Sequence, residues 1–465
     1  MAAMSLTTSH FLPYPRRDVW DWHTRPGAVV RLSPPFVPMQ AIKQADNLAD
    51  GLTRFSLPAG LKWDARHDLS GFHEGRQFSD VCVSAPLKAL ANWRHVHFFD
   101  DEGEGTRITD QVTTRLPGRA MHSMFAYRQH QLLGDLQAIE RSHHYAGQQF
   151  RAADGSLAPV TFAVTGSGGT IGTALCAQLT TAGHRVIRLT RSVGSGSSDD
   201  VRLWDPNHPA PNLLDGVDVL IHLAGEPLLG RFNDDHKEAI YSSRVEPTRK
   251  LAQLVADSST CNTMVVASAI GFYGHDRGDE VLSEDSATGE GFLAHVCRDW
   301  EAACQPARDA GKRVVNVRTG IVLSGRGGVL PVLRVLFSAG LGGKFGDGTA
   351  WFSWIAIDDL TDIYLRASLD PAVSGPINAT GPNPVQNKDM VQALAKELKR
   401  PAVIPIPSLG PKLILGEQGA QELALANQRV VPEALLGLDH TFRYTTIEAA
   451  LAHELGGEEL FEEPK

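Results

Sequence analysis

The sequence predicts an α/β protein whose larger part is a doubly wound parallel sheet with a small carboxyl-terminal lobe, preceded by an α+β domain with a curved antiparallel sheet. From residue 160 onward, short apolar runs alternate with stretches of helical period. Before residue 150, strand-like alternation recurs between turn residues and precedes one long helical stretch. Because the segment between them is polar and rich in turn residues, we expect domains at residues 1–150 and 158–465.

The first domain is predicted to be a helix-grip fold, in which the sheet wraps around the helix that runs from Ala120 to about Ser142. Such a fold commonly encloses an apolar cavity, so a small hydrophobic ligand is one interpretation and a filled core is the other. His95 and His97 share one face of a strand, but no acid or cysteine stands at metal-ligand spacing, so we predict no metal. The strands are expected near residues 75–83, 93–98 and 106–112.

The second domain opens with a glycine-rich turn between a strand and a helix, in the sequence V-T-F-A-V-T-G-S-G-G-T-I-G. In a dinucleotide-binding turn, Gly166 reverses the chain, Gly169 lets the backbone approach a pyrophosphate, and Gly172 lets the helix pack on the strand. The first helical amides would face the phosphates. A purely structural turn is the alternative. The predicted cofactor residues here are Thr165, Gly166, Gly169, Thr170, Ile171 and Gly172.

The next strand, residues 185–190, indicates which dinucleotide would bind. An NAD site usually places an acidic residue at the end of this strand for the ribose hydroxyls, whereas this chain has Arg191 and Ser192. Arg191 therefore favours a 2′-phosphate and NADP(H) as the cofactor. The alternative is a solvent-exposed arginine.

Further strands are predicted at residues 217–224, 263–269 and 313–318, and ligands of such sheets bind beyond the carboxyl ends of the strands. Glu226 and Arg244 bring opposite charges toward this cleft, unless they form a fixed ion pair or are unrelated surface groups. Trp204 could stack on adenine while Asp205 hydrogen-bonds it. The additional cofactor residues predicted on this basis are Trp204, Asp205, Leu223, Ala224, Gly225, Glu226, Arg244 and Ser268.

The amino-acid composition bears on the binding partners of the protein and on its cellular compartment. The chain has 465 residues, 42% of them hydrophobic and 21% charged, with a net charge of −9, which disfavours nucleic acid and anionic membranes. Its five cysteines are scattered without C-x-x-C spacing, which fits a reducing cytoplasm. We also expect neither export nor membrane insertion, because the sequence has no leader-like start and no sufficiently long apolar run.

These motifs carry a resemblance. From about residue 160 to the end, the chain resembles the extended short-chain dehydrogenase/reductases, specifically the atypical epimerase-family branch once labelled nucleoside-diphosphate-sugar epimerases. The resemblance implies a carboxyl-terminal substrate lobe with Trp351, Trp354 and Asp358 at its cleft, and a terminal module at about residues 382–457. The matching motifs are T-G-S-G-G-T-I-G, H-L-A-G-E-P, S-S-R-V-E-P-T-R, S-A-I-G-F-Y-G, F-L-A-H-V-C-R-D-W-E, R-T-G-I-V-L-S, W-F-S-W-I-A-I-D-D-L and G-P-I-N-A-T-G-P-N-P-V.

The first domain is similar to Bet v 1-like, or polyketide-cyclase/START-like, ligand-binding domains. Two segments carry this looser resemblance. They are P-R-R-D-V-W-D-W-H-T-R-P-G-A-V-V-R-L-S-P-P-F and A-N-W-R-H-V-H-F-F.

The chain departs from the superfamily at the reaction centre. Counting from Ser268, the positions of the superfamily's Tyr-x-x-x-Lys pair hold Phe292 and Val296, neither of which can transfer a proton or hold a charge. The predicted catalytic residues are therefore Tyr273 as an acid, assisted by Ser268, and Glu226 as a base if desolvated. Tyr273 would also border the substrate.

Two classes of function remain open from the sequence. The protein could be an NADP(H)-dependent oxidoreductase or epimerase-like enzyme acting on a small molecule. Alternatively, it could bind NADPH without turnover and couple redox state to a ligand of the first domain. The fusion also raises the idea that the first domain delivers a hydrophobic substrate to the second.

Overall fold

The computed structural model describes residues 4–192, 199–402, 406 and 409–461. Residues 403–405 and 407–408 of the predicted terminal module lie outside the described residues. Contacts divide the chain into two compact units. The first holds residues up to Arg141 together with Ala177–Gly183 and the segment from Ala452, and the second holds Ser142–Cys176 and His184–Leu451. The domain boundaries near residues 150 and 158 stay a prediction.

The first unit is built on a seven-stranded antiparallel sheet in the order β1-β7-β6-β5-β4-β3-β2, accompanied by one long helix, α4. In β6 and β7 buried residues alternate with more exposed ones, as expected for a sheet with one face in the core. The strands are β1 (Met4–Leu12), β2 (Gln40–Lys43), β3 (Leu52–Ser56), β4 (Lys62–His67), β5 (Gln77–Cys82), β6 (Arg94–Glu102) and β7 (Gly105–Thr114), and the helices are α1 (Arg16–Thr24), α2 (Ala28–Arg31), α3 (Leu87–Ala91) and α4 (Gly118–Tyr145).

Aromatic side chains form one centre of the first unit's core. Trp20 meets Phe99 edge to face at 5.3 Å between ring centroids, and Phe78 packs into the same cluster. Leu132 and Leu136 of α4 complete it from the helix side. The predicted combination of an antiparallel sheet with a long helix is therefore confirmed.

The second unit contains a seven-stranded parallel sheet in the order β10-β9-β8-β11-β12-β14-β18. From residue 161 onward, the elements of the chain are β8 (Thr161–Thr165), α5 (Thr170–Thr181), β9 (Arg185–Thr190), β10 (Val201–Leu203), β11 (Val219–His222), α6 (Asp234–Ser242), α7 (Val245–Asp257), β12 (Thr263–Ala269), β13 (Asp276–Leu282), α8 (Phe292–Ala302), α9 (Gln305–Asp309), β14 (Arg313–Thr319), β15 (Ile321–Leu323), α10 (Leu330–Ser338), β16 (Trp351–Phe352), β17 (Trp354–Ala356), α11 (Ile357–Leu369), β18 (Gly375–Ala379), β19 (Val385–Gln386), α12 (Asn387–Leu398), α13 (Leu409–Gly419), β20 (Asn427–Val430), α14 (Glu433–Gly437) and α15 (Ile447–Leu455).

The strand order places a topological switch point at the centre of the parallel sheet. The chain starts at β8, proceeds outward to β10, and then returns to the other side of β8 as β11. All four residues of β11 are buried, as expected for a parallel strand covered on both faces. The predicted doubly wound sheet is thus confirmed, and its ligand crevice is expected beyond the carboxyl ends of β8 and β11.

The carboxyl-terminal lobe adds three two-stranded sheets, which pair β13 with β20, β15 with β17, and β16 with β19. Strand β20 pairs with β13 in parallel although about 150 residues separate them, so the last part of the chain returns to the side of the main sheet. Within the described residues, no helix combines the length and apolar character needed to cross a membrane.

Helix α11 begins with buried carboxylates that face one arginine. Asp362 accepts two hydrogen bonds from the Arg443 guanidinium, at 2.8 and 2.7 Å. Asp359 accepts the backbone N–H groups of Arg443 and Tyr444. Burial, with the charge of Asp362 adding to it, raises the pKa of Asp359 from 3.8 to about 8.

This raised pKa predicts a pH dependence of stability. The folded state holds the Asp359 proton up to about pH 8, whereas an unfolded chain releases it near pH 4, so the free energy of unfolding should fall between these pH values. Asp359→Asn should remove that part of the slope in urea unfolding measured at pH 5 and pH 8. Asp235→Asn, at an exposed carboxyl, is the control. A slope in Asp359→Asn equal to that of the wild type would contradict this assignment.

Candidate functional site

A cavity of about 510 Å³ lies at the carboxyl ends of β8, β11, β12 and β14, where the sheet topology predicts a ligand. Helix α8 and a segment between α13 and β20 complete its wall. The lining residues are Gly166, Gly169, Thr170, Ile171, Gly172, Leu223, Gly225, Glu226, Pro227, Leu228, Arg244, Ala267, Ser268, Ala269, Ile270, Gly271, Leu293, Val296, Cys297, Trp300, Thr319, Gly320, Ile321, Tyr364, Glu422, Leu423, Ala426 and Gln428.

The glycine turn forms one end of this cavity. Gly166 has a φ of +67°, and a Cβ there would lie 2.8 Å from the Leu223 carbonyl carbon. A Cβ on Gly172 would overlap the carbonyl oxygen of Gly166. At Gly168, by contrast, a Cβ would meet no atom within 4 Å. The turn is therefore closed toward the protein and open on its other side, as a phosphate cradle requires.

Thr165 ties the turn to the neighbouring strand. Its Oγ1 accepts the backbone N–H groups of Leu223 and Ala224, at 3.1 and 3.2 Å, and lies 2.7 Å from Nδ1 of His222. Because burial lowers the pKa of His222 to about 3, this imidazole is neutral and its Nδ1 accepts the Thr165 hydroxyl proton. Thr165 and Ala224 thus shape the turn's backbone and do not line the cavity.

Beneath the cavity, Ser268 belongs to a buried polar network. Its hydroxyl donates to Glu301 at 2.7 Å. The same carboxylate accepts two bonds from Arg318, each 2.9 Å long, and the Arg318 guanidinium lies 3.5 Å from the centre of the Phe272 ring. Ser268 therefore presents a fixed oxygen to the cavity, with its own proton directed away.

The prediction that Tyr273 acts as the catalytic acid is wrong. Its side chain is fully buried and outside the cavity lining. Its hydroxyl donates to Asn378 at 2.7 Å and accepts from Arg318 at 3.0 Å. Burial also raises the pKa of Tyr273, so the hydroxyl proton, which is already donated to Asn378, is not easily released. Tyr273 supports the buried network instead of bordering a substrate.

Helix α8 presents an apolar wall where the superfamily has its tyrosine and lysine. Val296 lines the cavity, and Phe292 is the first residue of the helix. The carboxylate of Glu422 accepts the N–H groups of Phe292 and Leu293, at 3.1 and 2.7 Å, and so caps the helix. Burial raises the pKa of Cys297 on this wall to about 12, which makes a thiolate nucleophile unfavourable.

Arg244 lines the cavity without the ion pair that the sequence left open. Its guanidinium donates to the backbone carbonyls of Ile240 and Glu226, at 3.0 and 2.9 Å, and lies over the Trp300 ring. It thereby holds the Gly225–Glu226 backbone. The Glu226 side chain is exposed, so the burial on which its predicted role as a base depends is missing.

The end of β9 agrees only in part with the predicted adenosine site. Arg191 and Ser192 are exposed directly after the strand, and Asp205 is exposed on the neighbouring loop. Trp204 is only 4% exposed and packs in the hydrophobic core, so it offers no free face to adenine. The stacking role predicted for Trp204 is therefore corrected to a core role.

The residues predicted for the substrate cleft also fall outside the cavity lining. Trp354 is fully buried, with its indole N–H donating to the Asn383 carbonyl, and Asp358 is buried in the first turn of α11. For these two residues the prediction is wrong, because they belong to the interior of the lobe. Trp351 is half-buried, donates to Asp279 and lies under Arg429, and its place at a cleft stays a prediction.

Three groups stand out among the lining residues that sequence reasoning missed. Two of these groups lie in motifs quoted above, F-L-A-H-V-C-R-D-W-E and R-T-G-I-V-L-S. The group in the first motif could have been indicated by the apolar residues that recur at helical spacing in α8. The third follows α13, where no pattern indicates proximity to the sheet. The groups are Leu293, Val296, Cys297 and Trp300; Thr319, Gly320 and Ile321; and Glu422, Leu423, Ala426 and Gln428.

The first unit has a cavity of its own, of about 260 Å³. Apolar side chains from the sheet and from α4 make most of its wall, including Phe55, Trp63, Ala65 and Phe125. A polar group of histidines, Asp80 and Arg128 lines the remainder. The core of this unit is therefore not completely filled.

The glycine turn, the switch-point cavity and the strand order define the second unit as a Rossmann-fold protein of the dinucleotide-binding class. Residues 162–379 match the NAD dependent epimerase/dehydratase family, and residues 406–454 match a domain of unknown function. An epimerase family protein of Mycobacterium bovis is 38% identical over 300 residues, which cover 64% of this chain and 98% of that protein. The chain belongs to the epimerase family.

Solved structures extend the similarity. The crystal structure of a nucleoside-diphosphate sugar epimerase from Corynebacterium glutamicum is 60% identical with a TM-score of 0.86, covering 98% of this chain and 91% of that one. The human epimerase family protein SDR39U1, solved with NADPH, is 30% identical with a TM-score of 0.58, covering 64% of this chain and 99% of that one. The first of these similarities includes the amino-terminal unit.

Proposed function

We propose that the second unit binds NADP(H) and exchanges a hydride with a small-molecule substrate, as an oxidoreductase or epimerase-like enzyme without the Tyr-x-x-x-Lys pair. The observation that carries this proposal is the glycine turn, open at Gly168 and closed at Gly172, at one end of a cavity of about 510 Å³. The NADPH complex of the human relative supports the choice of cofactor.

The phosphate form of the cofactor is proposed from the end of β9. Arg191 is exposed there, and the sequence has no acidic residue from Arg191 to Ser198 to receive ribose hydroxyls. A guanidinium at this position would pair with a 2′-phosphate. The side chains proposed to contact the dinucleotide are those of the turn, Arg191, Ser192 and the cavity-facing residues near Gly225 and Arg244.

Arg191→Ala should weaken NADPH binding about tenfold, which is the loss expected for one charge-assisted contact in an exposed site. NADH binding should not change. The measurement is a titration of cofactor-stripped protein followed by nicotinamide fluorescence. Arg185→Ala is the matched control, because Arg185 is an exposed arginine at the opposite end of the same strand. Equal losses in the two variants, or no binding of either nucleotide to the wild type, would contradict the proposal.

Bound nicotinamide would supply the hydride. The chain contributes an apolar wall that excludes water, with Val296 and Leu293, and a fixed hydroxyl oxygen at Ser268. We propose that Ser268 positions a substrate hydroxyl by accepting its hydrogen bond, since the proton of Ser268 is donated to Glu301. Phe292 and Val296 leave no proton donor at the usual place, so turnover depends on a substrate whose proton transfer does not need that pair.

The same apolar wall favours a second candidate, in which the unit binds NADPH without turnover. Deuterium transfer distinguishes the two. Protein given NADPH deuterated at nicotinamide C4 and a small-molecule extract should place deuterium in a product if it is an enzyme. Ser268→Ala should reduce this transfer while binding NADPH normally. The absence of any labelled product would favour the non-catalytic role.

For the first unit, we propose that its apolar cavity binds a small hydrophobic molecule. Ala65→Phe should fill the space beside Trp63 and Phe55 and reduce binding of a naphthalene-type fluorescent probe at least tenfold. NADPH binding should stay at the wild-type level. Unchanged probe binding in a folded variant would place the probe elsewhere and contradict the proposal.

A further inference from the structure

Strand pairing in the first unit brings together acidic and imidazole groups that are distant in sequence. Asp80 of β5 stands directly opposite His95 of β6, and His97 of β6 stands directly opposite Asp110 of β7. Asp80, His95 and His97 all line the apolar cavity. One donor atom from each of these three residues lies within 4.8 Å of the others.

Asp110 contacts both histidines through one carboxylate oxygen. Its Oδ1 lies 2.8 Å from Nε2 of His95 and 2.8 Å from Nδ1 of His97. A carboxylate oxygen accepts hydrogen bonds, and both ring nitrogens lie at hydrogen-bond distance from it. Each histidine therefore donates one ring N–H to Asp110 and keeps its other nitrogen for a different partner.

The remaining nitrogen of His95 lies beside Asp80, and both residues line the cavity together with His97. His97 uses its Nδ1 for Asp110, so Nε2 is the nitrogen that it has left for another partner. The Nδ1 of His95 faces Oδ2 of Asp80 at 3.6 Å, which is beyond a hydrogen bond. Nearby, the Trp93 indole N–H holds the other Asp80 oxygen at 2.9 Å. The Nδ1 atom of His95 and the Asp80 carboxylate are thus fixed face to face.

The spacing of these atoms suits a metal ion. Metal–nitrogen and metal–oxygen bonds of about 2.1 Å at tetrahedral angles separate two donors by about 3.4 Å. The local charge also suits a cation, because two carboxylates, Asp80 and Asp110, interact with the guanidinium of Arg128. A carboxylate behind each ligating imidazole is the usual supporting arrangement of metal-binding histidines.

We propose that Asp80, His95 and His97 bind a divalent transition-metal ion, of the Zn²⁺ or Fe²⁺ type, at the polar end of the first unit's cavity. Two imidazoles and one carboxylate favour such ions over Mg²⁺ or Ca²⁺. Three protein ligands leave a coordination position open, and the cavity provides room there for an oxygen of a bound molecule. The site is independent of the proposed dinucleotide site, because all of its residues belong to the first unit.

The test is metal binding by the tag-free, full-length protein. Elemental analysis after dialysis against Zn²⁺ should give about one ion per chain, and Co²⁺ should give the visible absorption bands of a four-coordinate site. His97→Gln and Asp80→Asn should each abolish the stoichiometric ion and these bands. Asp110→Asn, which alters the support of both imidazoles, should weaken binding about 10- to 100-fold.

His10→Gln is the matched control, because His10 is a buried histidine of the same sheet and is outside the cluster. It should retain the ion. Near-ultraviolet circular dichroism of each variant establishes that the fold is kept. No binding of Zn²⁺ or Co²⁺ by folded wild type would overturn the proposal. Retention of the ion in the folded His97→Gln and Asp80→Asn variants would also overturn it.

Discussion

Gly172→Ala should reduce NADPH affinity by at least a hundredfold, equivalent to about 2.7 kcal/mol. The new Cβ would overlap the carbonyl oxygen of Gly166 and lie 2.8 Å from the Ser167 Cα. All of these neighbours are backbone atoms, so the overlap is relieved only if the turn opens. Opening the turn moves the first amides of α5 away from the phosphates they are proposed to bind.

Gly168→Ala separates this backbone effect from a general sensitivity of the turn. A Cβ at residue 168 meets no protein atom within 4 Å, so this variant should unfold at nearly the wild-type temperature. Gly172→Ala should unfold at a lower temperature. The measurements are fluorescence titration with NADPH and thermal unfolding, both made on the two variants. If Gly172→Ala bound NADPH with wild-type affinity, this result would be incompatible with a phosphate cradle at the turn.

Arg318→Met should destabilise the protein by about 3–5 kcal/mol, because it leaves the Glu301 carboxylate buried without its bidentate partner. The side chains of Arg318 and Glu301 are only 4% and 12% exposed, and both guanidinium bonds are 2.9 Å long. Tyr273 would lose a donor at the same time. Urea unfolding of the full chain measures the loss.

Two further variants test whether charge is the cause. Arg298→Met removes an arginine from a partly exposed pair with Asp299 on α8 and should cost less than about 1 kcal/mol. Adding Glu301→Gln to Arg318→Met should restore part of the lost stability, since no buried charge then remains unpaired. A loss no larger than that of Arg298→Met would show that the network under Ser268 contributes little.

The fold class could be predicted from the sequence because burial on both faces of a parallel sheet leaves a direct trace. The residues of β8 and β11 are mostly apolar for that reason, and the glycine turn follows from a positive φ at Gly166 and from backbone contacts at Gly172 that leave no room for a Cβ. Side-chain direction leaves no such trace. Tyr273 follows a predicted strand, yet the single helical turn Ile270–Tyr273 directs its ring into the core.

Contacts between distant parts of the chain were also beyond the sequence. The acid opposite His95 in the proposed metal site, Asp80, lies on β5 and not on the strand that carries His95. It reaches His95 through a pairing register that the strand patterns alone do not specify. Glu422 was equally hidden, since it reaches α8 from more than a hundred residues away. In both places the chemistry depends on pairing, whereas periodicity reports only local burial.

The cap that Glu422 provides has a consequence for the order of folding. As the chain is synthesised, β8 through β18 and α8 emerge before residue 422, so the parallel sheet can assemble while the first turn of α8 still lacks its acceptor. Closing this contact requires a long loop, which is entropically costly and therefore slow. We therefore expect a chain that has been synthesised only as far as β18 to lack part of the cavity wall, so that binding of a ligand there awaits the segment around residue 422.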